Sequence, residues 1–235
     1  MINIVTFSTN KSYQEYAIVL VKSLRLVYQG KIVCRCVNCE EAFIELLKNY
    51  DIEIIIDNVE LNTKKRLKNK KESVMLKYYK HGFCNDEITY TCHSRFKNAE
   101  YIFKKYTNCI VALVDCDFLI MQNIDNLFNI VDNDIMIMDS VNCIHEDCIV
   151  VVDSEGGRKF INEVNRILNK NLFFWDQDTV ALKEVFSSPR CLKVGKLELK
   201  FKDYTLSDSS VIWSGDGYAK FDKKFIDKYN EIKNL

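Results

Sequence analysis

Two carboxylates two residues apart, Asp115 and Asp117, follow the apolar run Cys109–Val114. A continuously apolar, β-branched run predicts a central buried strand. In an open α/β sheet the carboxyl ends of such strands open onto the ligand crevice. The two acids are then delivered to that crevice with little conformational freedom left to lose. Both are costly to desolvate, so something cationic should compensate them. A divalent ion, Mn²⁺ or Mg²⁺, bridging the carboxylates to the oxygens of a diphosphate is the economical partner. On these residues alone, a pair of acids capping a strand end or the following turn is the alternative.

The elements that must position the pair alternate along the chain. Residues 2–7 read as a strand, and Ser12 is placed to cap an amphipathic helix running to about residue 27. Lys31–Val37 reads as a second strand, residues 40–49 as a helix and 52–56 as a third strand, a βαβαβ opening that implies a parallel sheet with helices on its faces. A basic stretch over residues 62–71 lacks apolar periodicity and reads as a solvated loop. Helical patterns follow at 73–80 and 94–106, the second with a stripe of Phe96, Ala99, Tyr101, Ile102 and Phe103. Beyond Asp117, strands are expected at 134–138 and 148–152, helices at 157–169 and 176–186, and a charged helix over Lys223–Lys233. Neither a repeat nor a composition break marks a boundary. We therefore expect one α/β domain over 1–235, with a mixed, mostly parallel sheet.

Composition narrows the classes. Of 235 residues, 48% are hydrophobic, which supplies a sizeable core. Thirty-three basic residues balance 33 acidic ones, which argues against a nucleic-acid partner. The longest apolar run, residues 109–121, is interrupted by two Asp and does not read as a transmembrane segment. No secretory signal is read at the N-terminus, so the expected location is cytoplasmic. Ten cysteines in such a chain read as reduced core thiols. Cys34, Cys36 and Cys39 cluster, but without a second Cys or His pair at zinc spacing. The histidines His81, His93 and His145 show no ligand spacing, and His145 is read as part of a surface loop.

Four segments together resemble a GT-A-fold glycosyltransferase of the glycogenin and lipopolysaccharide galactosyltransferase group, with its small viral and bacterial relatives. They are Val5–Asn10 with Tyr13 and the helix through Leu24; Ser94–Ala99, an Arg-containing helix; the Asp115/Asp117 pair with Ile124-Asp125-Asn126-Leu127-Phe128; and Trp175-Asp176-Gln177-Asp178. The resemblance implies a nucleotide-sugar-binding half at 1–117 and an acceptor-side half at 118–235. It implies a nucleotide-sugar donor, UDP- or GDP-linked, and a glycan or other hydroxyl acceptor. Thr6, Phe7 and Ser8 would line the nucleoside site, with Tyr13 stacking on the base. Arg95 would sit near the diphosphate. Asp115 would face ribose or metal, Asp117 would bind metal, and Cys116 would lie between them at the donor. Asp176 and Gln177 would flank the anomeric carbon or bind acceptor hydroxyls. Asp178 would adjoin the donor or cap its helix.

The segment Trp213-Ser214-Gly215-Asp216-Gly217-Tyr218-Ala219-Lys220 is similar to the group's H-x-x-G-x-x-K loop, which closes over the diphosphate. Gly217 and Lys220 match, and Lys220 would neutralise the leaving group. Ser214 stands where the group has a metal-ligating His, so Asp216 or water would complete the shell. Gly215 and Gly217 would let the backbone approach phosphate. Two other readings remain: a haloacid-dehalogenase-like phosphatase using the same acid pair, disfavoured by Leu119 and the position of the triplet, and a catalytically inactive sugar-binding module.

Overall fold

The computed structural model describes residues 1–60, 86–130, 132–140, 143–170, 177–187, 192–215 and 219–235. The readings at 62–71 and 73–80, and His81, lie outside them. Among the described residues the helices are α1 (Gln14–Val27), α2 (Glu41–Lys48), α3 (Asp86–Lys105), α4 (Glu155–Leu168), α5 (Gln177–Ser187) and α6 (Lys223–Lys233). The strands are β1 (Ile2–Asn10), β2 (Lys31–Val37), β3 (Glu53–Asp57), β4 (Cys109–Val114), β5 (Leu119–Ile120), β6 (Ile135–Ser140), β7 (Cys143–Val152), β8 (Val194–Lys196) and β9 (Ile212–Trp213).

Seven strands form one sheet in the order β3-β2-β1-β4-β7-β6-β8, drawing on both halves of the chain. β1, β2, β3 and β4 run parallel, β7 runs antiparallel to β4 and β6, and β8 is parallel to β6. From β1 the chain winds outward through β2 and β3, then returns to place β4 on β1's other side. The carboxyl ends of β1 and β4 therefore flank a topological switch point, where open α/β sheets bind ligands.

Strand alternation divides the core into two layers. Val5, Phe7, Ala112 and Val114 face α1 and α2 through Leu20, Leu24 and Leu47. Ile4, Val111, Leu113, Ile149 and Val151 face α3, α4 and α5 through Phe96, Ile102, Phe160, Val164 and Leu182. The α3 stripe is buried at Phe96, Ala99, Ile102 and Phe103, while Tyr101 is only half-buried. A third cluster, Val19, Leu119, Leu206, Trp213, Phe225 and Ile232, ties α1 to α6 through the two-stranded β5–β9 sheet. Among the described residues no helix is long and apolar enough to cross a membrane.

Three local expectations are corrected. Asn10 rather than Ser12 caps the turn before α1, its Oδ1 accepting the Ser12 N–H at 2.9 Å. The helix carrying Arg95 starts at Asp86, earlier than residue 94, and its mixed first two turns bury Ile88 and Tyr90 together with Thr89, Thr91 and His93. Residue 145 lies in β7, paired with Met138 past a register shift, and not in a loop before a strand.

Candidate active site

The acid pair leaves β4 where that strand's burial ends. Val114 is buried, and Asp115, Cys116 and Asp117 form the turn into β5. The Asp115 N–H donates to the Asp147 carbonyl at 3.1 Å, extending the β4–β7 ladder by one residue. Ile120 N–H donates to Ser23 Oγ on α1 at 3.1 Å, fixing the far side of the turn.

Each acid already meets a protein cation. Arg95, 2% exposed on α3, forks between Asp115 and Asp178, with Nη2 to Asp178 Oδ2 at 2.9 Å. A planar guanidinium suits two carboxylates at once. His93 Nε2 lies 3.7 Å from the other Asp178 oxygen. Asp178 also accepts the Thr179 N–H at 2.9 Å in the first turn of α5. Lys220 Nζ stands 3.2 Å from Asp117 Oδ2 and 6.0 Å from the Tyr16 ring centroid. Lys202 pairs with Asp147, both buried.

The thiols here are held protonated. Burial first, then the neighbouring Asp117 and Asp115 carboxylates, push Cys116 well above the usual thiol range. Cys92 on α3 is raised for the same reasons, burial foremost. Burial, with Cys116 and Asp117 adding to it, pushes the Tyr13 phenol above its ordinary range and marks that half-buried ring as a neighbour of the acid turn.

The arrangement thus brings Tyr13, Arg95, Asp115, Cys116, Asp117, Asp178 and Lys220 to one end of the sheet. Gly215 joins them: a β-carbon there would meet the Asp117 carbonyl oxygen at 2.5 Å. Thr6 lies deeper, its hydroxyl donating to the Val33 carbonyl at 2.8 Å, and Phe7 is wholly buried in the layer under α1. Ser8 is tied to α3, accepting from Ser94 Oγ at 2.9 Å and Asn98 Nδ2 at 3.2 Å. Gln177 is buried at the start of α5, and Ser214 is wholly buried with its N–H donating to Asp203 at 2.9 Å. Asp176, Asp216 and Gly217 lie outside the described residues.

The donor set at Asp115 and Asp117 fits a hard divalent ion. Both offer carboxylate oxygens, and at a third of its side-chain surface Asp115 remains open to solvent. Among the described residues no three His, Cys, Asp or Glu side chains converge on one metal position. The remaining ligands would therefore be substrate oxygens, water or residues beyond those described.

From the sequence, His93 was set aside for lack of ligand spacing and Asp147 fell in the Cys143–Cys148 segment, weighed as a metal cluster and read as a surface loop, while Lys202 was not singled out. Asp147 carried a readable signal, since it adjoins the apolar end of β7 as Asp115 adjoins that of β4. Lys202, close to the other charged residues Lys193, Lys196, Glu198 and Lys200, carried none.

No protein-family model matches the sequence, and no curated protein matches it. Solved structures do match. The galactosyltransferase LgtC, in complex with donor and acceptor sugar analogs, aligns over 99% of this chain and 95% of its own, at TM-score 0.63 and 14% identity. The glycosyltransferase GlyE of Streptococcus pneumoniae TIGR4 aligns over the whole chain and 61% of its own, at TM-score 0.66 and 11% identity. A glycosyltransferase involved in glycosylation of the major capsid of PBCV-1 aligns over the full length of both chains, at TM-score 0.57 and 8% identity. The fold is that of the GT-A glycosyltransferases. At these identities the likeness speaks to the fold.

Proposed function

We propose that the protein is a glycosyltransferase that moves a sugar from a nucleoside-diphosphate donor, a UDP-sugar foremost, to a hydroxyl acceptor on a glycan, lipid or protein. The observation that carries this reading is the Asp115/Asp117 turn at the β1–β4 switch point, met by Arg95 from one side and Lys220 from the other. Acids that hold a cation and cations that meet phosphate are what a departing diphosphate requires.

Asp115 and Asp117 would hold Mn²⁺ or Mg²⁺, which as a Lewis acid stabilises negative charge on the leaving diphosphate. Arg95 ties Asp115 and Asp178 to one guanidinium, so each carboxylate is oriented by the same group. Lys220 stands on Asp117 until a diphosphate offers it oxygens, then neutralises the leaving group. Gly215 lets its loop lie directly on the Asp117 backbone. Gln177, at the entry to α5, and Asp176, next to it in the sequence, would serve the reaction centre. The cytoplasm suits such an enzyme, and Cys34, Cys36, Cys39, Cys92, Cys109, Cys116 and Cys148 are free thiols.

The test is a binding and turnover pair. With Mn²⁺ present, UDP should raise the melting temperature by an amount set by its concentration over Kd, and a UDP-sugar should be slowly hydrolysed. Asp117→Ala should abolish hydrolysis while the protein stays folded. Full hydrolysis in that variant would defeat the reading, and release of phosphate from an aryl phosphate would favour a phosphatase instead.

A further inference from the structure

Asp147 stands opposite Asp115 at the end of the β4–β7 ladder, joined to it through the backbone bond of 3.1 Å. Its side chain is held away from water, the residue being 5% exposed, and so is that of Lys202, at 3%. Lys202 Nζ pairs with one carboxylate oxygen, Oδ2. The other, Oδ1, is buried and has no hydrogen-bond partner among the described residues.

A buried ion pair of this kind is less stable than an apolar pair of the same shape would be, and an unmet oxygen adds to the cost. The unmet atom is a pure acceptor, so its missing partner is an O–H or N–H donor. Phosphate and carboxylate ligands are excluded, since their oxygens are themselves anionic acceptors and offer the carboxylate no donor. A hydroxyl of a neutral sugar fits.

We propose that Asp147 recognises the transferred sugar, its Oδ1 accepting a hydroxyl of the donor's glycosyl group while Lys202 fixes the carboxylate from behind. The inference rests on the glycosyltransferase reading and adds a specificity residue to it. The donor's sugar is preferred to the acceptor's because Asp147 is bonded to Asp115, on the diphosphate side of the reaction.

The test compares UDP with UDP-glucose, UDP-galactose and UDP-N-acetylglucosamine by calorimetric titration in Mn²⁺. The wild type should bind at least one sugar nucleotide more tightly than UDP. Asp147→Asn should lose that margin by about tenfold, with UDP affinity unchanged. Should that variant fail to fold, the double variant Asp147→Asn with Lys202→Met removes both charges of the buried pair and should show the same loss. The proposal is overturned if the margin survives, if it is absent from the wild type, or if UDP affinity falls in parallel, which would make Asp147 a structural prop. A variant that keeps the margin but loses transfer to acceptor would reassign the hydroxyl to the acceptor and overturn the donor assignment. A wild type that binds neither UDP nor its sugars sinks the glycosyltransferase reading itself.

Discussion

Gly215 lies so close on Asp117 that a β-carbon would sit 2.5 Å from the Asp117 carbonyl and 3.2 Å from its side-chain carbons. Two segments about a hundred residues apart in sequence are pressed together there, with backbone as the immovable partner. Gly215→Ala should cost roughly 1–3 kcal/mol of stability, the range for forcing an extra methyl into a packed site. It should also weaken Mn²⁺ binding, because the acid turn has to shift. Urea denaturation and a metal titration check both, and unchanged values in the two would mean the loop sits elsewhere.

Arg95 separates charge from shape. Arg95→Lys keeps the charge but cannot fork between Asp115 and Asp178, so donor hydrolysis should fall by two orders of magnitude or more, roughly the scale for losing a preorganised electrostatic group. Arg95→Met leaves buried Asp178 with only His93 and the Thr179 N–H and should destabilise the fold by about 3 kcal/mol, the low end for a broken buried pair, since solvent still reaches Asp115.

Lys220 and a divalent ion compete for the same carboxylate. Lys220→Met should therefore bind Mn²⁺ more tightly in the absence of nucleotide, yet turn over donor more slowly. Manganese spectroscopy reads the first effect and hydrolysis the second. Weaker Mn²⁺ binding in the variant would contradict the competition.

Asp203 gives a pH dependence with a definite sign. Burial alone would raise its carboxyl, but bonds from Ser210, Thr205 and Ser207 outweigh that and lower it. Its folded pKa thus lies below the unfolded value of about 3.9. The stability it contributes is complete above that value and is lost as pH falls through the lower, folded one. Melting temperatures of wild type and Asp203→Asn should differ at pH 6, and the difference should shrink as the pH is taken below the unfolded value. A difference that persists in acid would assign the effect to something other than ionisation.

Much of this was legible because the signals were long. The Lys31–Val37, Cys109–Val114 and Lys223–Lys233 elements stand where periodicity puts them, since seven or more positions of pattern, or an unbroken apolar run, outweigh local exceptions. The two-residue strands β5 and β9 were invisible, because two residues carry no period. Their pairing, Leu119 with Trp213 and Ile120 with Ile212, is decided by the third core cluster and not by local propensity. Within the site, Arg95 was legible through the company of its helix, and its geometry, shared between Asp115 and Asp178, was not. Lys202 could not be read at all, because a lysine among exposed lysines signals solvent, and only the tertiary fold turns it inward against Asp147.

The β5–β9 pairing closes a loop of more than ninety residues directly after the acid turn. The β1–β4 pairing spans a comparable separation but is held by five residue pairs against two here, so less offsets loop closure at β5–β9, and a refolding chain should acquire its sheet and helices first and its cation-gripping end last. Nucleotide binding followed in real time would then trail the recovery of far-ultraviolet dichroism, and mild denaturant should silence the site while most of the scaffold still stands.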